Sequence, residues 1–130
     1  MAEPEKFLSL DALRARVALQ AITGMDLRDE DRDTFLSKVR ACPTMVRRNG
    51  LVRTLAILED DEKEGSRAVV RAVTEWFRNE SCPVVLSNSL SGGNRLLPQL
   101  LTEDTRVWWR AQEEALAYME WLKLLAESNA

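Results

Sequence analysis

Five basic side chains, Lys38, Arg40, Arg47, Arg48 and Arg53, fall between Thr34 and Leu58 with no acidic residue among them. A second strip, Arg67, Arg71 and Arg78, follows at helical spacing. Fourteen of the eighteen basic residues are arginine, whose planar fork grips phosphate through two parallel hydrogen bonds. The chemistry on offer is therefore binding: a positive surface for a nucleic-acid backbone, on a chain whose formal net charge is −3. The competing reading is a solvated face whose arginines pair with nearby carboxylates.

Catalytic chemistry finds little to work with. The chain has no histidine, which excludes histidine general bases, Ser-His and Cys-His nucleophile pairs, and imidazole metal sites. Its two cysteines, Cys42 and Cys82, lie forty residues apart, each before a proline. Two cysteines cannot form a four-ligand zinc site, so they read as buried, reduced thiols. The pairs Asp60–Asp61 and Glu113–Glu114 are sequence neighbours, which diverge around a helix instead of converging on a substrate. They read as charged solvent faces. Ser91-Gly92-Gly93-Asn94 matches no phosphate-binding loop and reads as a flexible turn. No catalytic set, metal or cofactor is expected. No apolar run is long enough to span a bilayer, and the opening MAEPEKFLSL is no secretory signal. A cytoplasmic protein without a membrane partner is the expectation.

The elements that must carry these residues are helical nearly throughout. Hydrophobic residues make up 45% of the 130 positions and charged residues 30%, values that predict one globular domain, residues 1–130. Leu10, Leu13, Val17 and Ala21 mark one helix face, with Ser9 as cap and Gly24 as stop. An acidic start at Asp29 to Asp33 suits a second helix, continued by Phe35, Val39 and Cys42. Pro43 is expected to end it and open another. Asn49-Gly50 is the next break, followed by the stripe Leu51, Leu55, Leu58. The acidic run 59–64 reads as a loop ending in Gly65. Residues 66–79 form the cleanest amphipathic helix, with Val69, Ala72, Val73 and Trp76 on one side and Arg67, Arg71, Thr74 and Arg78 on the other.

Val84-Val85-Leu86 reads as a helical turn, and 96–101 as a short helix. The last helix, 102–127, is ~38 Å long. Its main apolar face holds Val107, Trp108, Ala111, Ala115, Tyr118, Met119, Leu122 and Leu125. Trp109, Leu116, Trp121 and Leu124 fall outside that face. The two tryptophans either pack under neighbouring helices or mark a protein–protein surface; base stacking is disfavoured by Glu113, Glu114 and Glu120 close by. The fold class is all-α, a compact bundle of five to seven helices with a long C-terminal helix.

One ordered set of motifs resembles a known family. Phe35-Leu36-x-x-Val39-x-x-x-Pro43-x-x-Val46-x-x-Asn49-Gly50-Leu51-x-x-Thr54-Leu55-Ala56-x-Leu58 is similar to the small helical subunit of the type III-B CRISPR effector, the Cmr complex. Trp76-Phe77 and the segment Glu114-Ala115-Leu116-Ala117-Tyr118-Met119-Glu120-Trp121-Leu122-Lys123 match it as well. Residues 80–101 do not. The resemblance implies a non-catalytic subunit whose copies stack as a filament beside the guide RNA and its RNA target. Its partners would be the backbone and large subunits, other copies of itself, and both RNAs. On that reading Lys38, Arg40, Arg47, Arg48, Arg53, Arg67, Arg71 and Arg78 contact RNA phosphates. Pro43, Asn49, Gly50, Leu51 and Trp121 are structural, and Trp109, Trp121 and Leu124 face neighbouring subunits. Two rivals stand beside it: the small subunit of a type III-A complex, and a helical adaptor that binds protein and not RNA.

Overall fold

Ser9 begins the first helix by accepting a hydrogen bond from the Ala12 N–H at 3.1 Å, which satisfies one of the donors a helix start leaves orphaned. The computed structural model describes residues 8–88, 90 and 94–129. Among them are six helices and no strand: α1 Leu10–Thr23, α2 Asp29–Asn49, α3 Leu51–Asp60, α4 Glu64–Arg78, α5 Leu96–Leu101 and α6 Thr105–Ser128. The expected all-α bundle with a long C-terminal helix is what forms.

Pro43 does not end α2, which runs through it to Asn49. Proline at this position removes the bond its N–H would give the Val39 carbonyl. Val39, Cys42, Pro43 and Val46 are all buried on one stripe, so tertiary packing of that stripe offsets the missing bond. The break comes only at Gly50, whose φ of 84° and ψ of 161° lie where a side chain is strained.

The acidic run also folds further than expected. Glu59 and Asp60 finish α3 and Glu64 opens α4, leaving only 61–63 between them. Gly65 is not a loop end; it sits buried in the first turn of α4. A Cβ there would lie 2.5 Å from the Asp31 carbonyl oxygen and 2.6 Å from the Phe35 nitrogen. The absent side chain is what lets α4 lie against the backbone of α2. Thr74, expected on the polar side of α4, is buried. Its hydroxyl donates to the Val70 carbonyl at 2.7 Å, and that bond makes the position compatible with the interior.

Residues 84–86 form neither helix nor strand. The run is too short to nucleate a helix, and the next residue is held elsewhere: Glu103 accepts from both the N–H and the hydroxyl of Ser87, each at 2.7 Å. The glycine-rich turn at Ser91-Gly92-Gly93 lies outside the described residues. α6 starts three residues later than expected because Asp104 caps it, accepting from the Val107 N–H at 3.1 Å.

α6 is the central element. α1 packs along it and against α4, while α2 packs on α4, α6 and α3. Trp76 of α4 and Tyr118 of α6 stack at the centre, ring centroids 5.7 Å apart and planes 4° from parallel. Both are wholly buried. Trp108, expected on the packed face of α6, is 40% exposed.

Candidate nucleic-acid interface

Tertiary folding brings carboxylates to most of the basic residues. On α2, Lys38 Nζ lies 3.7 Å from Asp61, Arg40 Nε 2.9 Å from Glu127, and Arg47 Nη2 2.8 Å from Glu120. Arg40 and Arg47 are two turns apart, as are Glu127 and Glu120 in reverse order, so the pairs stitch α2 antiparallel to α6. On α4, Arg71 Nη2 reaches Glu64 at 2.6 Å. Arg78 donates to Glu75 and to the Leu90 carbonyl, each at 3.0 Å. Such exposed pairs contribute about 0–1 kcal/mol each. A phosphate can displace the carboxylate from any of them at small cost.

Arg48, Arg53 and Arg67 are different. All three are exposed, and none makes an ion pair with a described residue. Arg48 closes α2 and Arg53 sits in the first turn of α3, so the Gly50 turn sets them on either side of the junction. The junction is braced from α6: the Leu51 N–H donates to Gln112 Oε1 at 3.2 Å. Asn49 is exposed, Leu51 buried, and Pro43 buried within α2. Arg53, Asn49, Trp108 and Gln112 line a cleft of about 460 Å³ beside this turn. Arg67, Arg71 and Arg78 line a second, separate cleft of about 510 Å³, where Arg95 faces them and pairs with Glu59. The basic residues therefore form two surfaces.

The outlying apolar side chains divide. Trp109 is 63% and Leu124 57% exposed, whereas Trp121 is half-buried against the core. Burial pushes the Cys42 thiol up to about 12 and the Cys82 thiol to about 11, so both remain protonated and unreactive near neutral pH. Neither is in a disulfide. No group of His, Cys, Asp or Glu among the described residues has the makings of a metal site. Among the same residues, no helix is long and apolar enough to cross a membrane.

The family model for CRISPR-associated protein (Cas_Cmr5) matches residues 10–129. The chain belongs to the Cas_Cmr5 family. It is thus a small subunit of the type III-B, or Cmr, class, and the match covers every helix described above. No curated relative matches the chain.

This Cas_Cmr5 chain also holds a buried polar cluster that its sequence conceals. Glu114, read as part of a solvent-facing pair, is buried. Its carboxylate accepts from Arg14 Nε at 2.5 Å, Arg14 Nη2 at 2.8 Å and the Trp76 indole N–H at 2.9 Å. The bond to Glu114 holds the Arg14 guanidinium above its usual pKa. The helical spacing carried the signal: Glu114 lies three residues after Ala111 and four before Tyr118, on the packed stripe of α6. In this Cas_Cmr5 member the cluster locks α1, α4 and α6 together.

Proposed function

We propose that this chain is a non-catalytic subunit of an RNA-targeting Cmr effector, with residues 1–130 acting as one helical domain in the cytoplasm. Its copies stack as a filament between the backbone subunits and the large subunit, lining the channel that holds guide and target RNA in antiviral defence. The observation that carries this reading is the set Arg48, Arg53 and Arg67: exposed arginines with no carboxylate among the described residues to answer them. Lys38, Arg40, Arg47, Arg71 and Arg78 complete the two surfaces by exchanging a carboxylate for phosphate. Contacts of this kind read charge and shape, and base pairing supplies the sequence. Trp109 and Leu124 meet neighbouring subunits, and Trp121 helps hold α6 in place.

Native mass spectrometry of the complex purified from its own cells tests the reading. The expected species holds several copies of this chain and an RNA of a few tens of nucleotides. Replacing Arg47, Arg48 and Arg53 with alanine should weaken target binding and shallow its salt dependence while leaving helicity unchanged. A bare monomer, or a protein-only complex, would overturn the RNA-channel reading in favour of a protein-binding adaptor.

A further inference from the structure

The cleft beside Gly50 has the makings of more than a phosphate contact. Its volume of about 460 Å³ is ample for one nucleobase and its sugar. The floor is apolar, with Leu51 and Leu100 buried and Ala111 fully packed. One wall is Trp108, 40% exposed and fixed in orientation by donation of its indole N–H to the Leu100 carbonyl. Gln112, also in the lining, spends its oxygen on the Leu51 N–H and keeps its amide NH2 as a donor. Asn49 adds a second exposed amide. Arg53, an exposed cation with no ion pair to a described residue, lines it as well.

We infer that this cleft binds an unpaired nucleobase of RNA, stacked on Trp108, with the adjoining phosphate held by Arg53. The inference rests on the RNA-channel reading above and adds a base contact to it. The occupant is argued from complementarity. An apolar slot with a fixed aromatic wall accepts any base face, amides in its lining meet base edges, and the unanswered positive charge meets phosphate. A protein segment would satisfy the wall but leave Arg53 unneutralised unless it were acidic. A paired base, buried within a duplex, cannot reach the indole.

The full-length chain is titrated with labelled oligouridine and with a fully paired RNA duplex of equal length, over a series of salt concentrations. Trp108→Ala should weaken oligouridine binding about tenfold, the loss expected for one stacked base. Duplex binding and the salt slope should not change. Trp108→Phe should recover much of the loss. Ala56→Leu, which fills the cleft from an exposed position, should reproduce the selective loss without touching the indole. Oligouridine carrying 5-iodouridine should crosslink to Trp108 on irradiation. Salt-sensitive binding by the wild type with no loss in Trp108→Ala or Ala56→Leu overturns the base site alone. Equal losses for single strand and duplex also overturn it. Failure of the wild type to bind either RNA overturns the channel reading and this one with it.

Discussion

Arg14 and Glu114, a hundred residues apart, meet in a two-pronged ion pair at 2.5 and 2.8 Å. The Trp76 indole N–H occupies the same carboxylate. This is the only place among the described residues where a carboxylate is both buried and bonded to two other helices. Removing Glu114 would leave the part-buried Arg14 with only the exposed Asp11 and would orphan the buried Trp76 indole N–H. Glu114→Ala should therefore lower stability by about 1–3 kcal/mol, read as a fall in urea midpoint. The double change Arg14→Met with Glu114→Leu should restore part of it, since apolar replacement leaves no orphan charge and only the Trp76 N–H unanswered. A single Glu114→Ala variant as stable as wild type would show that the pair is idle.

Gly65→Ala tests the contact of α4 with α2. In an open helix this substitution stabilises by up to about 1 kcal/mol. Here the added Cβ would stand 2.5 Å from the Asp31 oxygen, 2.6 Å from the Phe35 nitrogen and 2.7 Å from Thr34 Cβ. The sign should reverse, with a loss of about 1–3 kcal/mol as the helices are forced apart. Thermal unfolding of the variant decides the matter.

The Asp61 carboxyl is held below the ordinary carboxylate range, chiefly by the Ser66 hydroxyl and further by Lys38 and Lys63 nearby. A depressed folded value means the stabilisation is present above the unfolded pKa and is lost as pH falls through the folded one. Ser66→Ala should thus be destabilised at neutral pH, and its gap from wild type should narrow as the solution becomes strongly acidic. Denaturant midpoints of the two proteins across that range would show it; a constant gap would remove the ionic part of the argument.

Both thiols are protonated and buried. The native protein should react slowly with an aromatic disulfide reagent, and both cysteines should titrate promptly in denaturant. Rapid modification of the native chain would mean that Cys42 or Cys82 is reached by local opening.

Trp109 is more than half exposed, so Trp109→Ser should leave thermal unfolding unchanged. If it faces a neighbouring subunit, fewer copies should enter the assembled complex, as counted by native mass spectrometry. Full incorporation would assign the indole no interface role.

Much of the fold was legible along the chain because its signals are local. The cap at Ser9, the acidic first turn of α2, the glycine at position 50 and the apolar stripe of α4 each act within a few residues of themselves. The errors fall where distant packing overrules such a signal. Pro43 reads as a stop in isolation, yet the buried stripe of α2 carries the helix through it. Val84-Val85-Leu86 is apolar enough for a helix, yet Glu103 ties down the residue that follows it, Ser87.

The sequence by itself determined an all-helical chain without histidine chemistry, an arginine-rich middle and the motifs of its family. Tertiary structure alone decided which charges are spoken for. The stretch from Thr34 to Leu58 has no acid of its own, but Glu120, Glu127 and Asp61 arrive from elsewhere to pair with Arg47, Arg40 and Lys38. Only Arg48 and Arg53 of that stretch stay unanswered by a described carboxylate. The same folding buried Glu114 and left Trp108 half open beside Gly50. Ion pairing and burial depend on distances between helices, which spacing along one helix does not encode.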